Sequence, residues 1–198
     1  MKIAVDIDDT LNTVDRVRYA GEYIRRKNLP FRLKDENAHA FAEVYDWAEE
    51  DVLEFIHDGG ITAFTDAPAR KGAKEILTRW HEAGIEVIIV TSRMASWFGN
   101  PEKVSRDWLE KRHIPYDALA ADIADKGAYC AAHGIDILVD DSLEQCRSAQ
   151  EKGVNAVLAV SRATLERAHE VRYGGANWKQ IDAAVAHIVG LLLRRQQA

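Results

Sequence analysis

Short apolar runs recur along the chain and alternate with stretches that carry apolar residues at helical spacing. Four runs are apolar throughout and rich in β-branched residues: 3–5, 85–90, 137–139 and 156–160, although Glu86 interrupts the second. Residues 116–120 form a weaker fifth run. Apolar runs this short are typical of strands buried on both faces, as in a parallel sheet covered by helices.

Between these runs, apolar positions recur every three or four residues, which is typical of amphipathic helices. Helices are predicted over residues 72–83, 103–112, 143–152 and 178–193. The alternation of strands and helices predicts an α/β fold with a Rossmann-like, doubly wound parallel sheet.

One stretch breaks this alternation, because no strand-like run occurs from about residue 12 to residue 65. It is much longer than the usual connection between a strand and a helix. Helices are predicted there over residues 16–27, 36–47 and 49–57. We therefore predict an α/β core formed by residues 1–12 and 66–198, with a small helical cap, residues 13–65, inserted after the first strand.

Composition narrows the class of protein. The chain has 198 residues and a formal net charge of −6, and an acidic chain without a basic stripe is a poor binder of nucleic-acid backbones. Its two cysteines lack the spacing of a zinc site. No apolar run approaches the length of a membrane span, and no signal-peptide pattern is present. We expect a cytoplasmic protein with no nucleic-acid and no membrane partner.

Carboxylates cluster where the first run ends, at Asp6, Asp8 and Asp9. Like charges this close repel one another, and burial strengthens the repulsion. A bound cation relieves it, and Mg²⁺ prefers hard oxygen ligands of this kind.

A second pair of carboxylates, Asp140 and Asp141, follows the run 137–139. If the two strands are parallel neighbours, their carboxyl ends meet, and Asp6, Asp8, Asp140 and Asp141 share one pocket. The alternative is that Asp140 and Asp141 lie in a turn that caps the next helix.

Two further signals are weaker on their own. Thr91, Ser92 and Arg93 follow the run 85–90, and hydroxyl and backbone N–H groups at such a strand end can bind phosphate oxygens. Lys126 stands alone between the runs 85–90 and 137–139, and a single lysine is usually a solvated surface residue.

Taken together, Asp6–Thr10, Thr91, Lys126 and the pair Asp140 and Asp141 resemble, in order, the four motifs of the haloacid dehalogenase (HAD) superfamily of phosphohydrolases. The resemblance covers the core from Lys2 to about Val160. It also accounts for the insertion, because one HAD subgroup carries a small helical cap, of the C1 type, between the first two motifs.

The resemblance implies a role for each residue. Asp6 would be the nucleophile that forms an aspartyl-phosphate, and Asp8 the general acid and base. Thr91 and Lys126 would complete the catalytic set. The remaining implied roles are phosphate binding by Thr91, Ser92, Arg93 and Lys126, and Mg²⁺ binding by Asp6, Asp8, Asp140 and Asp141.

The expected function is Mg²⁺-dependent hydrolysis of a small phosphomonoester. Looser similarities to the 5′(3′)-deoxyribonucleotidase-like group suggest a nucleoside 5′-monophosphate as substrate. Aromatic residues of the predicted cap are candidates for stacking on a base: Tyr19, Tyr23, Phe41, Tyr45, Trp47 and Phe55. The alternatives are a phosphatase of a sugar phosphate or other small metabolite, and a non-catalytic binding module on the same fold.

Overall fold

A six-stranded sheet forms the centre of the protein in the computed structural model, which describes residues 1–196. The strands are β1 (Lys2–Val5), β2 (Glu86–Val90), β3 (Ala118–Ala120), β4 (Ile137–Asp140), β5 (Asn155–Ala159) and β6 (Tyr173–Gly175). All neighbouring pairs are parallel, in the order β3-β2-β1-β4-β5-β6. The predicted α/β, doubly wound class is confirmed.

The helices are α1 (Arg16–Lys27), α2 (Phe41–Tyr45), α3 (Glu49–Phe55), α4 (Thr62–Thr65), α5 (Ala73–Glu82), α6 (Ala95–Phe98), α7 (Pro101–Lys111), α8 (Lys126–Ala132), α9 (Leu143–Glu151) and α10 (Trp178–Gln196). A π-helical turn, Ile56–Gly60, follows α3, and a 3₁₀ helix, Leu165–Glu170, precedes β6. Among the described residues, none of the helices combines the length and the apolar character needed to cross a membrane.

The prediction of a helix over residues 36–47 is wrong for its first half, because α2 begins only at Phe41. The carboxylate of Asp35 accepts the backbone N–H of Asn37 at 2.8 Å, a turn contact that competes with helix formation. The backbone N–H of Lys34 is bonded to the carbonyl of Val44 at 2.8 Å, so this stretch runs back along α2 as a loop.

Apolar layers cover both faces of the sheet. On one face, Ile3 and Val5 pack with residues of α5, α7 and α10, including the buried Trp108 and Trp178. On the other face, Ala4 packs with residues of α8 and α9, including the free cysteines Cys130 and Cys146, which are fully buried. Alternate residues of β1 thus enter different layers, as the pleat of a strand requires.

Residues 13–65, here called the helical segment, carry helices α1–α4 and build most of a separate apolar cluster. The chain leaves the core and returns to it side by side, because Asn12 and Ala69 form an isolated antiparallel bridge. The N–H of Thr13 donates to the carbonyl of Pro68 at 3.2 Å beside that bridge. The division into core and cap remains a prediction.

The order of the strands makes the carboxyl ends of β1 and β4 a special position in the sheet. The chain moves outward from β1 in both directions, through β2 on one side and β4 on the other, so the carboxyl ends of β1 and β4 form the switch point at which α/β folds bind ligands. Val5 pairs with Val139 in register, which brings the following residues, Asp6 and Asp140, next to each other.

Candidate active site

A buried lysine lies between the carboxylates of the two strand ends. The Nζ atom of Lys126 is 2.7 Å from Asp6 Oδ1 and 2.7 Å from Asp140 Oδ2. All three side chains are nearly inaccessible to solvent. Lys126 is the first residue of α8, and the carboxylate of Asp125 caps that helix by accepting the N–H of Ala128. Lys126 thus lies buried between the two strand ends and is not a solvated surface residue, the alternative for a lone lysine.

The charges of this cluster do not balance. Burial is the largest effect on Asp6 and, with the repulsion from Asp140 and Asp8, it outweighs Lys126 and raises the pKa of Asp6 to about 7. Burial likewise raises the pKa of Asp140 against the same lysine. The two carboxylates hold Lys126 in its charged form and raise its pKa, although burial acts in the opposite direction.

Asp141 joins the cluster from the turn after β4 and is bound by a residue of the helical segment. Its Oδ2 atom lies 3.0 Å from His39 Nδ1, and its Oδ1 atom accepts the hydroxyl of Thr10 at 3.3 Å. The other ring nitrogen of His39 is 2.6 Å from Ser161 Oγ, in the loop after β5. His39 therefore connects the helical segment to two points of the core.

Asp8 is held by a different cation. Arg93 donates two hydrogen bonds to it, Nε to Oδ2 and Nη2 to Oδ1, both 2.8 Å long. Asn12 Nδ2 donates a third to Oδ1, also at 2.8 Å. Burial raises the pKa of Asp8, but Arg93 and these hydrogen bonds outweigh burial and hold it below its ordinary value.

Asp9 organises the loop after β1. Its backbone has a φ of 60°, in the left-handed region that non-glycine residues seldom adopt. Its carboxylate accepts the N–H of Val14 at 3.0 Å and pairs with Arg16 at 2.5 Å, and its carbonyl accepts Nη1 of Arg70 at 2.9 Å. These contacts compensate the strained backbone.

Thr91, Ser92 and Arg93 lie beyond the end of β2 and face the same cavity as the carboxylates. That cavity, of about 300 Å³, is lined by Asp6, Asp8, Lys126 and Asp140 on its polar side. Thr91 is buried, and the Ser92 hydroxyl donates to the carbonyl of Ile123 at 2.8 Å. The structure thus brings together all eight residues named from the sequence: Asp6, Asp8, Thr91, Ser92, Arg93, Lys126, Asp140 and Asp141.

The apolar wall of this cavity consists of Phe64, Met94, Trp97 and Phe98. None of the six aromatic residues proposed from sequence to stack on a base lines it. Five of them are buried in the core of the helical segment: Tyr23, Phe41, Tyr45, Trp47 and Phe55. The sixth, Tyr19, lines a larger cavity of about 540 Å³ on the far side of Arg16.

The donor set fits a hard divalent cation. Oxygen atoms of Asp6, Asp140 and Asp141 lie within 4.8 Å of one another, and carboxylate oxygen is the ligand type that Mg²⁺ prefers. With Asp8, four carboxylates share this pocket with three permanent cations, Lys126, Arg93 and Arg16, and Arg16 is also paired with Asp9. Burial is the main cause of the raised pKa of Asp6, and repulsion from Asp140 and Asp8 adds to it.

Three contact residues were not singled out from the sequence. Asn12 lies in the same loop as Asp8, so its position beside the first motif was an available signal. His39 and Arg16 belong to the helical segment, and nothing in their sequence surroundings indicates that the chain folds back over the carboxylates.

Neither a family model nor a curated protein sequence matches this chain. Solved structures do match its fold. A protein described as a predicted phosphatase, from Clostridium acetobutylicum, aligns with a TM-score of 0.65 and 14% identity, over 94% of this chain and 98% of its own.

Two further solved structures have a similar fold. A mutant of CbbY from Rhodobacter sphaeroides, in complex with xylulose-(1,5)bisphosphate, aligns with a TM-score of 0.60 and 16% identity, over 89% of this chain and 93% of its own. A HAD-superfamily hydrolase of subfamily IA from Geobacter sulfurreducens aligns with a TM-score of 0.53 and 16% identity, over 79% and 88%. At such identities the comparison shows that this chain has the fold of HAD-superfamily hydrolases.

Proposed function

We propose that this protein is a HAD-type, Mg²⁺-dependent phosphomonoester hydrolase that acts through an aspartyl-phosphate on Asp6. The observation that carries the proposal is the position of Lys126, 2.7 Å from both Asp6 and Asp140 at the switch point of the sheet. A buried lysine there favours the ionised form of the attacking carboxylate, against the effect of burial, and offers positive charge to phosphoryl oxygens. The fold shared with HAD hydrolases supports the same chemistry.

In the proposed first step, an Asp6 oxygen attacks phosphorus, and the bond from phosphorus to the leaving oxygen breaks with its electron pair on that oxygen. Asp8 supplies the proton that the leaving oxygen takes up, so this step uses the protonated form of Asp8, which its contacts with Arg93 make the minor form in the free protein. Thr91, Ser92 and the backbone N–H groups beside them bind the phosphoryl oxygens together with Lys126.

In the second step, Asp8 takes a proton from water while the water oxygen attacks phosphorus, which releases inorganic phosphate and restores the Asp6 carboxylate. Asp6, Asp140 and Asp141, with the backbone carbonyl of Asp8, would hold the Mg²⁺ ion. When bound, that ion supplies positive charge that offsets the negative charge of the phosphoryl group.

The proposed substrate is a small phosphorylated metabolite. A sugar phosphate is the better supported choice, because CbbY, which shares the fold, binds xylulose-(1,5)bisphosphate. A nucleoside 5′-monophosphate is the second candidate. It is favoured by the apolar wall that includes Met94 and Trp97, since such a wall suits a planar leaving group.

The test is phosphate release from a panel of sugar phosphates and nucleoside monophosphates, with Mg²⁺ and with EDTA. Asp6→Asn should lower activity by about a thousandfold or more, because a covalent nucleophile has no substitute. Asp107→Asn, at an exposed position of α7, is the matched control and should retain activity. A loss of less than about tenfold in Asp6→Asn would argue against the mechanism, and a chain inactive on every substrate would favour a binding module.

A further inference from the structure

The contacts of Asp8 leave a single position open for a proton. A carboxylate oxygen has two lone-pair sites. Oδ1 of Asp8 accepts from both Arg93 Nη2 and Asn12 Nδ2, so its two sites are filled. Oδ2 accepts only Nε of Arg93, so one of its sites remains available. A proton that Asp8 exchanges with a ligand in the cavity must therefore pass through Oδ2.

Arg93 is itself fixed by its surroundings. The residue is only 3% exposed, although it carries a charge. Its guanidinium lies over the ring of Phe98, with 5.2 Å between the guanidinium carbon and the ring centroid. The remaining nitrogen, Nη1, is 3.4 Å from Ser105 Oγ on α7. The planar guanidinium is thus held in one orientation before any substrate binds. Its two hydrogen bonds in turn fix the orientation of the Asp8 carboxylate.

This geometry gives Arg93 a different role from the phosphate contact expected from sequence. Three of its five N–H donors are used by these contacts, two by Asp8 and one by Ser105. The edge formed by Nε and Nη2, which could otherwise bind two oxygens of a phosphoryl group, is therefore occupied by Asp8. Lys126, by contrast, contacts Asp6 and Asp140, so the two cations act on different carboxylates.

We propose that Arg93 is a positioning residue, which together with Asn12 orients Asp8 so that the free site of Oδ2 faces first the leaving oxygen and then the attacking water. The inference rests on the proposed function and adds to it the residues that direct the proton transfer. If Arg93 acts in this way, its contribution to kcat/KM increases with the basicity of the leaving oxygen.

A series of aryl phosphates measures that dependence. From 4-nitrophenyl phosphate to phenyl phosphate, the leaving oxygen becomes more basic and needs the proton more. The ratio kcat/KM is the quantity to compare, because it covers the steps up to departure of the leaving group. The value of kcat also contains hydrolysis of the aspartyl-phosphate, in which Asp8 acts again.

Arg93→Lys keeps the charge but loses the two-pronged donor. We expect kcat/KM to fall by about a hundredfold for phenyl phosphate, the usual size of general acid catalysis, and by less than about fivefold for 4-nitrophenyl phosphate. The inhibition constant of inorganic phosphate should stay within about twofold, since the phosphoryl contacts remain. Arg106→Lys, on the exposed side of α7, is the matched control and should change none of these values.

A uniform loss along the series in Arg93→Lys, with a matching rise in the inhibition constant of phosphate, would show that Arg93 binds the phosphoryl group, and the inference would be overturned. If Arg93→Lys does not fold, Asn12→Ser decides, because it removes one donor to Asp8 and leaves Arg93 in place. It should show the same dependence on the leaving group at smaller amplitude, and a uniform loss there overturns the inference as well. A wild-type protein inactive on every aryl phosphate and on the whole panel of sugar phosphates and nucleoside monophosphates refutes the proposed function itself.

Discussion

Asp6 and Asp8 are two residues apart at the end of β1, but they lie in opposite electrostatic environments. Asp6 shares one lysine with Asp140, and burial together with neighbouring carboxylates raises its pKa to about 7. Asp8 has an arginine to itself, and its pKa is held below the ordinary value. We call these the lysine side and the arginine side of the site.

The difference follows from the shapes of the two cations. An ammonium group is a point charge that several carboxylates can surround, whereas a guanidinium fork matches one carboxylate. The lysine side therefore retains excess negative charge, which suits binding of a divalent cation and of a phosphoryl group. On the arginine side, the charge of Arg93 balances that of Asp8, and two hydrogen bonds hold the carboxylate in one orientation. Such an orientation suits a group that transfers a proton in a defined direction. The two sides can be separated by experiment.

The largest expected effect on stability comes from removing the shared cation. Lys126→Met leaves Asp6 and Asp140 buried without a counter-ion, and breaking a buried ion pair in this way costs about 3–5 kcal/mol. Urea unfolding at pH 8 in EDTA measures the loss. Lys152→Met is the control, since that lysine is partly exposed and its pair with Asp125 contributes little. Equally small losses of unfolding free energy in both variants would show that Lys126 does not offset the buried charges of Asp6 and Asp140.

The pH dependence of stability should also come from the lysine side. Asp6 has a pKa of about 7 when folded, against about 4 in an unfolded chain, so the folded state binds the proton more tightly. Its contribution to stability is complete below pH 4 and is lost as the pH rises to about 7. In EDTA, the free energy of unfolding should therefore be lower at pH 8 than at pH 5 by a few kcal/mol.

Mg²⁺ should reverse this loss at pH 8, because a ligand that binds only the folded state stabilises it. Asp6→Asn should reduce both the pH dependence of the unfolding free energy and the stabilisation by Mg²⁺. This variant therefore distinguishes the contribution of Asp6 from the titration of other groups. An unfolding free energy that is the same at both pH values in EDTA would contradict the raised pKa of Asp6.

The smallest effect concerns the support of Lys126. Asp125 accepts the N–H of Ala128 at 2.9 Å and the hydroxyl of Ser148 at 2.6 Å, and so caps the helix that begins with Lys126. Asp125→Ala should cost about 0.5–2 kcal/mol, the usual price of a lost N-cap. Asp125→Asn keeps an accepting oxygen and should cost less. Thermal unfolding of both variants checks the difference, and identical losses would exclude the cap as the cause.

The sequence predicted correctly those strands and helices that are determined by the local pattern of apolar residues. The four apolar runs became β1, β2, β4 and β5, and the helix predicted over residues 16–27 has those bounds as α1. The strand β6 was missed, because Tyr173, Gly174 and Gly175 form no apolar run; their strand conformation depends on pairing with β5. Such pairing is a tertiary effect that no local pattern reports.

The site also has a part that the local pattern predicts and a part that depends on tertiary packing. Its eight predicted residues follow strand ends or begin a helix, so the parallel sheet alone brings them together. The partners of individual carboxylates could not be predicted. Arg93 is 85 residues from Asp8, and His39 is far from Asp141 in sequence. Those contacts depend on the path of the loop after β2 and on how the helical segment lies over the core, which packing decides.

The two cysteines give this site a consequence for chemical labelling. Cys130 on α8 and Cys146 on α9 are fully inaccessible, and burial raises the pKa of both thiols, that of Cys130 to about 12. Since thiolates are the reactive species, neither cysteine should react with a disulfide reagent until these helices open. The rate of thiol modification in the wild-type chain thus reports how often the layer behind Lys126 opens, without any introduced probe.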